Sequence, residues 1–168
     1  MLNGFLLTTD GRLFSWGGLT FCLGRNPSST TSETDSSSNP SQLGEIEGFF
    51  PSFLVSIACG RSHVLSLDRD GRVYSWGKND FGQLGLGRQQ YSQQDRQVPT
   101  LIEEIGGERE TKIVQIYAFE NMSFAVDKYG TTYAWGQNKN NILALGGNLT
   151  TQKQVDIPSP IQYPNYFI

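Results

Sequence analysis

His63 is the only histidine in the 168 residues, and Cys22 and Cys59 are the only cysteines. Side chains of these types serve as nucleophiles, general bases and metal ligands, but each role needs partners at a suitable spacing. A structural zinc site takes about four Cys, His or carboxylate ligands. One histidine and two distant cysteines outside any CxxC pair supply no such set. Covalent catalysis of the Ser-His-Asp or Cys-His kind would have to use His63, and nothing in the sequence sets Cys59 beside it as an activated nucleophile. The run Gly82-Gln83-Leu84-Gly85-Leu86-Gly87 has the glycine content of a phosphate loop. It nevertheless follows a strand pattern without opening a helix, and it lacks the Gly-Lys-Ser/Thr ending. The sequence thus predicts no catalytic residue, no cofactor and no metal, and a protein that is not an enzyme.

Charge and composition narrow the field further. Thirteen Lys and Arg against sixteen Asp and Glu give a net charge of −3, whereas a protein that grips nucleic acid neutralises phosphates with a basic excess. Direct nucleic-acid binding is not expected. Nor is membrane insertion, because no run of about 18 apolar residues occurs. The early apolar run Phe5-Leu6-Leu7 has no basic region before it, so the sequons at Asn121 and Asn148 read as incidental. A soluble product with reduced thiols, cytoplasmic or nuclear, is the simplest expectation.

The organisation of the chain lies in its repeats. Asp10 to Gly17 reads DGRLFSWG, Asp70 to Gly77 reads DGRVYSWG, and Tyr129 to Gly136 reads YGTTYAWG. Gly11, Gly71 and Gly130 each precede a tryptophan by five residues, and Trp16, Trp76 and Trp135 lie 60 and 59 apart. Gly17, Gly77 and Gly136 follow directly. Pro40, Pro99 and Pro158 fall 24, 23 and 23 residues after their tryptophans, each with Leu43, Ile102 or Ile161 three positions on. The chain therefore reads as one tandem array entered partway through a copy, with segments of about 1–54, 55–113 and 114–168.

Within a unit the apolar period is two, as for strands. Val55 and Ile57 alternate with Ser56 and Ala58, Leu65 and Leu67 flank Ser66, and Val114, Ile116, Phe124 and Val126 repeat the phases. Gly71 and Gly130 stand where a tight hairpin needs positive φ. Proline starts a strand or sits on a sheet edge, so the fourth strand is expected around Leu43, Ile102 and Ile161. Four short strands per unit, side by side in tandem, make a β-propeller blade, with a large aromatic ring filling each gap between sheets. The expected fold class is all-β, a partial propeller of four-stranded antiparallel blades. Trp16, Trp76, Trp135, Leu65, Leu67, Phe124 and Val126 are its expected core.

The second copy carries a specific pattern: Val55-x-Ile57-x-Cys59-Gly60-x-x-His63, Leu65, Asp70-Gly71, Val73-Tyr74-Ser75-Trp76-Gly77 and Asn79-x-Phe81-Gly82-Gln83-Leu84-Gly85. It resembles the regulator-of-chromosome-condensation repeat, and the resemblance implies a seven-bladed propeller in which His63 makes a structural hydrogen bond inside the blade. The third copy departs from it, with Phe119 in place of Gly60, Met122 in place of His63, and Asn141-Ile142-Leu143-Ala144 in place of Gly82-Gln83-Leu84-Gly85. In the first copy Asn3 stands at the histidine position, and Phe21-Cys22-Leu23-Gly24 is one residue short. About two and a half units cannot close a seven-bladed ring, so association to complete the propeller, or a larger parent protein, is expected.

The resemblance implies two functional classes: guanine-nucleotide exchange on a small GTPase, and scaffold or recognition propellers such as those joined to ubiquitin ligases. The acidic balance and the degenerate third copy favour the second, a protein-interaction module. Candidate contact residues are Lys78, Asn79, Asp80, Phe81 and Tyr91, on loops of the propeller rim; each could equally be a satisfied turn residue. Ten of the fourteen residues from Ser28 to Ser41 are Ser or Thr. That insertion, 27–42, reads as a disordered loop between blades or as a phosphorylation-controlled contact.

Overall fold

Among the described residues, alternating apolar residues and glycine turns give eleven short strands in three antiparallel sheets. The architecture is seen in a computed structural model that describes residues 3–25, 42–49, 52–87, 94–105 and 111–162. Pro40, Tyr91, most of the Ser/Thr-rich insertion and the tail from Tyr163 lie outside the described residues. Sheet one holds β1 (Asn3–Leu7), β2 (Leu13–Gly17) and the short β3 (Gly44–Glu45). Sheet two holds β4 (Leu54–Cys59), β5 (His63–Asp68), β6 (Val73–Gly77) and β7 (Arg96–Leu101). Sheet three repeats it as β8 (Ile113–Phe119), β9 (Met122–Asp127), β10 (Thr132–Gln137) and β11 (Gln154–Pro160). The only helical pieces among the described residues are single 3-10 turns.

In the second and third units the hairpin between the second and third strands is held by the side chain that ends the earlier strand. Asp68 Oδ1 accepts from the amides of Asp70 and Arg72, and Asp127 Oδ1 from those of Tyr129 and Thr131, at 2.8–3.0 Å. Both aspartates are buried. Asp127→Ala would leave two amides without their acceptor, and a loss of about 1–3 kcal/mol in chemical denaturation is expected. Asp127→Asn, which keeps one acceptor oxygen, should lose less.

The sheets stack face to face. Leu13, Ile46, Phe49, Leu54, Val64 and Trp76 fill the seam between sheets one and two. Leu65, Leu67, Val73, Ile113, Ile116 and Trp135 belong to the larger cluster between sheets two and three. Successive residues of a strand point to opposite faces, so Val64 serves one seam and Leu65 the other. Sandwiching buries β5 from end to end, including the polar phase at Ser66.

Several expectations need correction. Trp76 and Trp135 are 0% exposed, but Trp16 is 39% exposed, because its face of sheet one has no covering sheet among the described residues. Phe124 and Val126 are half-buried on the outer part of sheet three for the corresponding reason. Val55 and Val114 are exposed while Leu54 and Ile113 are buried. Register shifts follow Leu54 and Ile113 in their ladders, and such an irregularity turns one extra residue outward. The fourth strands end at Leu101 and Pro160, just before Ile102 and Ile161. Pro99 and Pro158 sit on these edge strands where the ladder register shifts, so no ladder bond requires their missing N–H.

Candidate functional site: the seam and the rim

In the first two units the loop between the third and fourth strands receives the tryptophan of the next sheet. Trp76 Nε1 donates to the Cys22 carbonyl at 2.9 Å, and Trp135 Nε1 donates to the Gln83 carbonyl at 3.0 Å. Close approach requires a residue without a side chain. A Cβ built on Gly85, whose φ is +69°, would lie 2.7 Å from Trp135 Nε1. The loop itself is folded by local polar contacts: Ser75 Oγ donates to the Leu84 carbonyl at 2.7 Å, and the Leu84 amide donates to Asn79 Oδ1 at 3.0 Å. Asn138 holds the Leu143 amide in the same way at 3.1 Å.

His63 crosses a seam. Its expected hydrogen bond inside the blade is instead a bond to the neighbouring sheet, 2.8 Å from Nε2 to Ser123 Oγ. Ser123 donates its hydroxyl hydrogen to the Gln83 carbonyl at 2.7 Å, so its oxygen accepts from the imidazole and the Nε2–H tautomer is set. The Nδ1 atom is buried with no hydrogen-bond partner among the described residues. Burial pushes the imidazole pKa from 6.5 down to about 4. Gly60 lies against the ring, which leaves no room for a Cβ there. His63 is therefore a neutral lock between sheets. The Cys22 thiol, buried and 2.9 Å from the Ser62 carbonyl, is pushed up to about 12, far from thiolate reactivity.

The contact candidates separate on the same geometry. Asn79 is 2% exposed and spent on its own loop. Lys78 is half-buried, 2.5 Å from Asp95, with its ammonium 5.0 Å from the centre of the Phe21 ring. The Asp95 carboxylate raises its pKa. Asp80 is exposed and Phe81 half-buried. Backbone bonds from Lys78 to Ser62 and from Arg61 to Glu120 bring this group onto one rim with the Arg61–Glu120 ion pair, 3.2 Å long.

Sequence reasoning did not anticipate the partners of this rim, Phe21 and Asp95, because they lie 57 and 17 positions from Lys78 with no shared motif. It also did not anticipate a groove of about 620 Å³ lined by Leu86, Gly87, Glu103, Glu104, Val155 and Asp156. The groove joins residues of two units across a seam, and no local pattern signals that.

The Regulator of chromosome condensation (RCC1) repeat family matches residues 10–67 and 70–126, more than half of the chain. The chain belongs to this family. RCC1-repeat relatives include the human Probable E3 ubiquitin-protein ligase HERC6, 39% identical over 56% of this chain and 9% of its own length. The Arabidopsis thaliana RCC1 domain-containing protein RUG3, mitochondrial, is 33% identical over 84% of this chain and 28% of its own. The human WBSCR16 crystal structure superposes with a TM-score of 0.73 at 26% identity, over 97% of this chain and 38% of that one. The chain thus spans less than a third of either curated relative. The RCC1 likeness establishes the propeller architecture of the three stacked sheets. No helix among the described residues is long and apolar enough to cross a membrane.

Proposed function

We propose that this chain is a non-catalytic protein-interaction module, one repeat domain within a larger or truncated RCC1-type propeller, acting in the cytoplasm or nucleus. The observation that carries this reading is the division of labour among its polar residues. His63, Asp68, Asn79, Ser123 and Asp127 are buried and committed to seams and turns, whereas Arg61, Lys78, Asp80 and Glu120 ride on one rim of that rigid frame. A rigid scaffold presenting charged loops is a common arrangement for recognition. Phe81 supplies aromatic area on the same rim. The similarity to HERC6, a protein named as a ubiquitin ligase, supports a partner in the ubiquitin pathway; so small a share of HERC6 supports recognition rather than ligase chemistry.

Exchange on a small GTPase is the competing reading. A fluorescent-GDP release assay across a panel of small GTPases separates the two, and no acceleration by this chain is expected. Acceleration would replace the proposal. For the rim itself, the triple variant Lys78→Glu, Asp80→Lys, Phe81→Ala should keep the wild-type melting temperature within a few degrees. It should lose the proteins that the wild-type chain retains in quantitative affinity capture; undiminished retention would move the contact surface elsewhere.

A further inference from the structure

The groove of about 620 Å³ is walled by two units of the chain. Leu86, Glu103 and Glu104 come from the second unit, and Leu149, Val155 and Ile157 from the third. Its floor is apolar. Leu86 and Leu149 pack against the buried cluster that contains Val155, and Ile157 on β11 is 43% exposed. The walls are tied together by the Gly87 amide, which donates to the Asp156 carbonyl at 3.0 Å and so joins the loop of one unit to a strand of the other. A pre-formed cleft of this volume, mostly apolar with a few polar groups at its edge, has the properties of a binding site.

The polar groups at that edge are of one sign. Glu103 and Glu104 are exposed in the turn directly after β7, and among the described residues neither side chain is ion-paired or hydrogen-bonded. The buried Asp156 adds a third carboxylate, which accepts from Gln154 Nε2 at 3.0 Å. Arg96 lines the adjoining recess together with the two glutamates, so three acidic side chains stand against one basic one. The repeat does not call for this charge. Ile46, Ile102 and Ile161 hold the same place in their units, each donating its amide to the carbonyl of Leu13, Val73 or Thr132 at 2.8–2.9 Å. The residues that follow them are Glu47-Gly48, Glu103-Glu104 and Gln162-Tyr163. The strand end is thus made alike in all three units, and the glutamate pair belongs to the second alone.

We infer that this groove binds a lysine-bearing segment of a partner protein, with the alkyl stem of the lysine on Leu86, Val155 and Ile157 and its ammonium at Glu103 and Glu104. A long cationic side chain covers apolar surface with its methylenes while its head stays at the wet edge. The carboxylates supply the complementary charge and the selection against acidic segments. The inference rests on the interaction-module reading and gives that module a second surface, since the groove shares no residue with the rim around Lys78 and Asp80.

The test uses a fluorescein-labelled peptide with a Lys-Leu-Lys-Leu-Lys core, followed by fluorescence anisotropy on the whole chain. Acetylating its lysines keeps the stems and removes the charge, and should weaken binding at least about tenfold. The double variant Glu103→Gln, Glu104→Gln alters exposed side chains only and should weaken the unmodified peptide by about the same factor. The control Glu47→Gln, Asp70→Asn removes equal charge elsewhere and should change binding by less than about twofold. Ile157→Ser, at the apolar floor, should cost roughly threefold. No binding of the peptide, binding unaffected by the glutamate variant, or equal weakening by the control pair would each overturn the inference. The rim variant Lys78→Glu, Asp80→Lys, Phe81→Ala leaves the net charge unchanged and should bind the peptide as wild type does; peptide binding lost only in that variant would place the basic segment on the rim. Failure of the groove with capture through the rim intact overturns this inference and leaves the interaction module standing, whereas accelerated GDP release overturns the module itself.

Discussion

Trp76→Ala is expected to remove about 3–5 kcal/mol of stability, and Trp16→Ala roughly 1 kcal/mol or less, although the two tryptophans occupy the same place in their repeats. The indole of Trp76 is fully buried, edge-on to Phe5 and Phe49, with its N–H bonded to the Cys22 carbonyl. Truncation leaves a cavity the size of an indole in a seam formed by two strand faces that cannot collapse independently, and leaves the Cys22 carbonyl without its donor. A loss of that size is a large part of the stability of an ordinary domain. Trp16 already keeps much of its surface in water, so its removal forfeits little burial. Urea denaturation of both variants checks the pair; equal losses would show that the aromatic position stabilises its own sheet rather than the seam.

Acidification supplies the second large effect. The folded protein binds a proton at His63 only near pH 4, whereas the unfolded chain binds one near pH 6.5. Between these values the unfolded state holds more protons, so stability declines as pH falls from 6.5 towards 4. The contribution of this one group is on the order of 3 kcal/mol when complete. The cause is loss of hydration around a charged imidazole, and among the described residues the buried Nδ1 has no acceptor for the hydrogen bond that a proton added there would offer. His63→Gln removes this titration while leaving the carboxylates in place. Unfolding free energies measured from pH 7 to pH 4 should therefore fall less steeply for His63→Gln than for wild type. Parallel slopes would place the imidazole in contact with water.

The acid effect arises from the burial of an imidazole whose hydrogen bond sequence reasoning assigned to the interior of one blade. His63 lies 60 residues from Ser123, one whole repeat away, and a motif read along the chain does not say which neighbour its side chain meets. The turns are different. Asp68 and Asp127 stand two to four residues from the amides they hold, so a hairpin at Gly71 and Gly130 is visible in the local string. The bulges after Leu54 and Ile113 fall between these cases. The strands are legible from their alternation, but a single extra residue reverses the phase without altering the composition, and the alternation that includes Val55 and Val114 does not show that these two face outward.

The repeat period, the strands, the hairpins and hence the stacked-sheet propeller class were determined by the sequence itself. Each follows from backbone preferences and side-chain alternation over a few residues, reinforced by recurrence at 59 and 60 positions. Only the tertiary structure decided which equivalent residues are equivalent in environment. Trp16, Trp76 and Trp135 share a motif, yet burial is a property of a pair of surfaces, and for Trp16 no second surface lies among the described residues. The same holds for Asn79 and Lys78, adjacent in the chain, which the fold of a single loop divides into a buried strut and a rim charge.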